Sequence, residues 1–202
     1  MRKSVFMTLG IFLCMFFLTG CTAVRIDTAD IDNIVNVVLS KDNSLYNHIG
    51  RGYKYYIPRG VSYIDTIEFN DRLYSDGNYY YLYIDAISYF YQKDITYKKS
   101  DDSYYYREIN IDGKKGYINI KKVDDKYLIN FMYNYASIES LVDKENIDSV
   151  ILNCSYILST VKFNNKVIRI MLDENYFKYK EEKFELFNDE KNLNDNILEF
   201  SE

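Results

Sequence analysis

The sequence predicts an α+β fold: an antiparallel β-sheet flanked by an N-terminal helix and a long helix in the C-terminal half. Three observations carry this. Apolar residues recur with a helical period over about 28–41, the period falls to two from Tyr53 to Tyr135, and it returns to 3.6 residues beyond about 145. The connections between the central strands are short, which makes them antiparallel neighbours. Helix, strands, helix in that order places helices over a sheet. With 202 residues, 48% of them apolar and 27% charged, the chain has the material for one folded domain and lacks the composition of a disordered one.

In the first helix, Ile31, Ile34, Val35, Val38 and Leu39 form one stripe, Asp27 or Thr28 suits the N-cap, and Asp30 and Asp32 suit the positive end of the dipole. The helix stops at Lys41-Asp42-Asn43-Ser44. Tyr53, Tyr55 and Ile57 share a face of the first strand, which Pro58 closes, and Gly60 turns the chain into a second strand over Val61–Ile67. Asp76-Gly77-Asn78 signals a turn before Tyr79–Asp85, and strand-like composition continues to Tyr91. Tyr104–Ile111 and Tyr117–Val123 read as a hairpin around the loop Asp112-Gly113-Lys114-Lys115-Gly116. After Asp124-Asp125, a strand over 126–135 places Tyr127, Ile129, Phe131, Tyr133 and Tyr135 on one face and Asn130 and Asn134 on the other.

The long helix is marked by Ile147, Val150, Ile151, Cys154, Leu158 and Val161, with Asp143 and Glu145 at its start and Lys162 near its end. Val167, Ile168, Met171 and Leu172 suggest a shorter helix, and Phe184 with Leu186 an edge strand. Residues 188–202 carry Asp189, Glu190, Asp195, Glu199 and Glu202 against Lys191 alone, and read as a loose acidic tail. The domain is therefore expected over 28–187.

The N-terminus carries an address. Arg2 and Lys3 precede an apolar run from Val5 to Leu18, interrupted only by Thr8 and Gly10. It is shorter than the roughly 18 residues that span a bilayer core, and fits a signal peptide. It ends in Leu18-Thr19-Gly20-Cys21, which resembles the lipobox of bacterial lipoproteins. That resemblance implies cleavage between Gly20 and Cys21, with the Cys21 thiol taking a diacylglyceryl group. Residues 1–20 would then be removed and 21–27 would form a tether on the outer face of the cytoplasmic membrane. Losing Arg2 and Lys3 takes the formal charge from −5 to −7. Only Cys154 would remain as a thiol, since Cys14 leaves with the signal peptide. Abundant Ile, Asn, Lys and Tyr with one Pro and no Trp suggest an AT-rich, Gram-positive source.

Gly52-Tyr53-Lys54-Tyr55-Tyr56-Ile57-Pro58-Arg59-Gly60 is similar to the opening strand of the PsbP-like family, an aromatic-rich strand running into Pro-x-Gly. Ser159-Thr160-Val161-Lys162 loosely matches that family's closing helix. The resemblance covers 52–163 in order of elements, lacks the Trp that usually follows Pro-x-Gly, and implies an α/β/α sandwich. The family is functionally diverse, so it implies no activity.

Little chemistry is legible. The net negative charge opposes nucleic-acid binding, which needs clustered cations. His48 is the only histidine, and with three cysteines in the whole chain no metal or cofactor is expected. Ser159-x-x-Lys162 has the form of the nucleophile motif of penicillin-recognising enzymes, but the companion Ser-Asp-Asn and Lys-Thr-Gly are missing. The carboxylate pairs Asp30/Asp32, Asp101/Asp102 and Asp124/Asp125 suit a helix start and turns, and Gly50-Arg51-Gly52 precedes a strand rather than a helix.

Tyrosine is the unusual feature, at 23 residues. Tyr79, Tyr81 and Tyr83 share one strand face, and Tyr104-Tyr105-Tyr106 repeats the theme on what is expected to be a neighbouring strand. Such a face either packs under a helix or binds a sugar, peptide or protein. The leading expectation is a non-enzymatic, lipid-anchored binding or assembly lipoprotein with an envelope-protein or cell-wall partner. A cell-wall-directed hydrolase and a small-ligand carrier are the alternatives.

Overall fold

Asp30 opens the first helix, its carboxylate accepting from the Asp32 amide at 2.9 Å. The computed structural model describes residues 30–67, 70–96, 99 and 101–173. The expected caps Asp27 and Thr28, the signal peptide with Gly20 and Cys21, the 184–186 strand and the acidic tail lie outside the described residues. Helix α1 spans Ile31–Leu39 and buries Ile34, Val35, Val38 and Leu39, the expected stripe.

Among the described residues ten strands follow: β1 His48–Ile49, β2 Tyr53–Tyr55, β3 Ser62–Ile67, β4 Asn70–Ser75, β5 Asn78–Ile84, β6 Ser103–Ile111, β7 Lys114–Val123, β8 Lys126–Tyr133, β9 Ala136–Val142 and β10 Lys162–Phe163. They form a seven-stranded sheet in the order β3-β4-β5-β9-β8-β7-β6 and a three-stranded sheet in the order β1-β2-β10, antiparallel throughout. The short helix α2 is Ala86–Phe90, the long helix α3 Ile147–Thr160, and α4 Asn165–Asp173. The fold is α+β.

Four differences from the sequence expectation have local causes. Residues 86–90 form a helical turn rather than more strand, because the Asp85 carboxylate caps the Ser88 amide at 2.8 Å. The 112–116 loop shrinks to Asp112-Gly113, both at positive φ as a two-residue hairpin turn requires, and Gly116 belongs to β7. There β7 and β8 approach so closely that a Cβ on Gly116 would sit 2.1 Å from the Met132 carbonyl oxygen. Strand β8 ends at Tyr133, since Asn134 and Tyr135 both take positive φ and turn the chain into β9. An aromatic residue is rare in that region. The Tyr135 hydroxyl is tied to the Lys93 carbonyl at 2.9 Å. Finally, Lys162 lies beyond the helix, in β10, pairing with Lys54.

Helix α3 is buried more widely than one stripe. Besides Val150, Ile151, Cys154 and Leu158, it hides Ser155, Ile157 and Thr160, because α1 and β2 cover it as well as β8 and β9. The Thr160 hydroxyl accepts from the Tyr56 amide at 3.0 Å, which ties the small sheet to the helix end. Ile34 to Met171 bracket one continuous core in which α1, α3 and β2 lie on the same face of the large sheet. Each fully buried aliphatic side chain in it contributes roughly 1.5–3 kcal/mol.

Candidate functional site

The strand register of β5 decides where its tyrosines go. Tyr80, Leu82 and Ile84 point into the core, leaving Tyr79 exposed and Tyr81 and Tyr83 half-buried on the opposite face, away from α1 and α3. Successive rings on this face lie along about 14 Å of strand. Tyr79 meets Tyr74 of β4 at 5.0 Å between ring centroids, tilted, and Tyr81 at 6.4 Å, stacked. The Tyr104–Tyr106 run is not beside them: it belongs to β6, at the far edge, with β9, β8 and β7 in between.

Register extends the tyrosine row into a polar band across all seven strands. Asp65, Arg72, Tyr81, Glu139, Asn130, Asn119 and Tyr106 are successive cross-strand partners. The Arg72 guanidinium grips the Asp65 carboxylate through two nitrogens, and the Asn130 amide donates to Glu139 at 2.9 Å. Burial pushes the Tyr81 hydroxyl pKa above its ordinary value. Beside this band lies a hollow of about 380 Å³, floored by Tyr83, Tyr117, Met132 and Ser137 and walled by residues 85–88 and 93–96. That volume falls in the range of small-ligand sites. The face offers stacking rings, an amide and carboxylates, which suits recognition.

A second constellation was not legible as a site. Asp71 of β4 is fully buried, and among the described residues no Arg or Lys is paired with it. Its Oδ2 accepts from the hydroxyls of Tyr53 and Tyr55, each at 2.9 Å, and its Oδ1 from Thr66, whose oxygen also meets the Tyr63 hydroxyl at 2.7 Å. Among the described residues, His48 stands beside it with Nε2 3.7 Å from Oδ2, too far for a hydrogen bond. The imidazole packs on Tyr63 and Tyr55 at 4.5 and 5.0 Å. Desolvation first, then the Asp71 charge, raises the Tyr53 and Tyr55 pKa values well above the ordinary value. The alternation of Tyr53 and Tyr55 was the available signal: two hydroxyls entering a core from one face each require a hydrogen-bond partner there.

The remaining candidates have structural partners. The Ser159 hydroxyl donates to the Tyr156 carbonyl at 3.0 Å, and the Lys162 amine reaches Asp42 at 3.4 Å. Asp32 accepts from Arg107 at 2.7 Å and from the Tyr105 hydroxyl at 2.8 Å, joining α1 to β6. Asp102 pairs with Lys121 at 3.2 Å. Cys154 is buried in α3, and burial pushes its thiol pKa up. Among the described residues no three His, Cys, Asp or Glu side chains are grouped to hold a metal, and no helix is long and apolar enough to cross a membrane. No known protein family, curated protein or solved structure matches the chain.

Proposed function

We propose that this chain is a lipid-anchored, extracytoplasmic lipoprotein of a bacterial cell envelope, a non-enzymatic binding or assembly component. The outer face of its seven-stranded sheet engages an envelope protein or cell-wall partner. Anchoring is read from the lipobox-like Leu18-Thr19-Gly20-Cys21. The observation that carries the binding role is the tyrosine row Tyr79, Tyr81 and Tyr83 on the sheet face turned away from α1 and α3, continuous with a polar band and a hollow. Aromatic rings there supply contact area at low entropic cost, and their hydroxyls meet polar groups.

The test replaces Tyr79, Tyr81 and Tyr83 together with Ser. Circular dichroism should show a folded domain, because the substitutions spare the core face of β5. Crosslinking in the native membrane, followed by identification of captured species, should lose the product that the parent chain gives. Undiminished capture of the same partner, or a collapsed melting temperature, would refute the assignment of these rings to recognition.

A further inference from the structure

On the small sheet, at the β1–β2 turn, Ile49 is 71% exposed and Tyr46 beside it 50%. Across a groove stands α4, presenting Val167 and, one turn on, Ile170 at 56% exposure, while Ile168 is buried in the core and the largely buried Met171 lines the groove. Gly52 makes this approach possible: it takes φ +82°, and a Cβ there would sit 3.0 Å from Ile168. Arg51, Lys54 and Lys162 line the same groove. Lys54 stacks its ammonium over the Tyr46 ring at 3.7 Å, and Lys162 pairs loosely with the highly exposed Asp42 at 3.4 Å. On a chain of net charge −5, three cations around projecting aliphatic side chains form a local exception.

We infer that this patch is a membrane-contact surface that seats the domain on an anionic lipid bilayer. Its chemistry is that of an interfacial anchor: aliphatic tips to enter the acyl boundary, an amphipathic tyrosine at headgroup level and cations for lipid phosphates. Ile49 and Val167 line the groove together with Arg51, Lys54 and Lys162, so apolar tips and cations share one surface, which matches the mixed apolar and anionic chemistry of a lipid interface. The inference draws on the anchored reading for one point only. From residue 21 to residue 30 the chain spans at most about 30 Å, so an acylated domain stays close to the lipid.

The experiment uses the unacylated chain 22–202, which keeps the whole core, so that failure of lipidation and failure of this surface are separate results. It is sedimented with vesicles of phosphatidylglycerol and phosphatidylcholine, and with phosphatidylcholine alone. The preference for anionic vesicles should be roughly tenfold, and should fall in high salt. Arg51→Gln with Lys54→Gln and Lys162→Gln should abolish the preference, and Ile49→Asn should weaken binding to both vesicles. A control of Lys114→Gln, Lys122→Gln and Lys126→Gln, on β7 and β8, should keep the preference. Equal binding to both vesicle types, or an equal loss in the control, would overturn the inference. So would a vesicle-independent dimer lost in Ile49→Asn, which would make a second copy the occupant. Vesicle binding that appears only after removal of 188–202 would instead point to the acidic tail, and would likewise overturn it.

Discussion

Replacing Asp71 with Ala removes the acceptor shared by Tyr53, Tyr55 and Thr66, and the consequence can be worked from the geometry. Hydrogen bonds to a charged group contribute about 1.5–3 kcal/mol each, and a buried hydroxyl left without a partner costs about 1–3 kcal/mol. Tyr53 and Tyr55 are both buried, so neither hydroxyl reaches bulk water without the strand moving. Thr66 keeps its contact with Tyr63 and loses less. Against this, the variant no longer buries a carboxylate. The net expectation is a loss of about 3–5 kcal/mol, as for other broken buried charge networks. That is about a fifth or more of the stability of an ordinary domain.

The informative comparison is the variant carrying Asp71→Leu, Tyr53→Phe and Tyr55→Phe together. It removes the charge and both stranded donors while keeping volume, and should cost less than Asp71→Ala alone. Urea unfolding of the three proteins reads this directly through the midpoints at constant slope. A single variant within about 1 kcal/mol of the parent, or a triple variant less stable than the single one, would refute the account of this cluster as a mutually dependent unit.

Three further outcomes follow from the same physics. Cys21→Ala should leave the Gly20–Cys21 bond uncut and abolish incorporation of radiolabelled fatty acid; normal labelling would remove the anchor from the proposed function. Burial raises the pKa of Tyr53, Tyr55 and Tyr80, and pushes Tyr133 up to about 12. Unfolded tyrosine titrates near 10, so their stabilisation is complete below about pH 10 and is lost as pH rises towards the folded values. Urea midpoints should therefore fall as pH rises through and above about 10, and a flat profile would contradict the burial of these hydroxyls. Gly116→Ala should destabilise by about 3 kcal/mol or more, since the added Cβ meets backbone atoms of Met132 and Tyr133 that cannot yield. Gly113→Ala, at φ 76° with nothing within 4 Å, should cost only about 1–2 kcal/mol; equilibrium unfolding that ranks the two in the opposite order would be inconsistent with the β7–β8 approach.

Local periodicity by itself determined the fold class, the stripe of α1 and the long helix α3, and it divided β5 into two faces without saying which of them is core. These patterns are set by which residues must leave water, and both helical and strand periods can be read along the chain. Strand β9 escaped because Ala136 and Ser140 occupy inward positions, so its alternation lacks contrast until the Ser140 hydroxyl is seen donating to the Tyr79 carbonyl at 2.7 Å. Strand β4 escaped for a related reason: its inward residues are Asp71, Leu73 and Ser75, a buried set with only one apolar member. The pairing of β5 with β9 was decided by tertiary structure alone, since strands far apart in sequence carry no label for one another. That pairing turns isolated residues into a band, setting Tyr81 beside Glu139 and bringing Tyr83 to the edge of a hollow. The Asp71 cluster and the cation-lined groove likewise join β1–β2 to β4 and to α4 across the molecule. Chemistry assembled from distant segments becomes visible only when the chain is closed, because burial and proximity belong to the folded whole and not to any window of sequence.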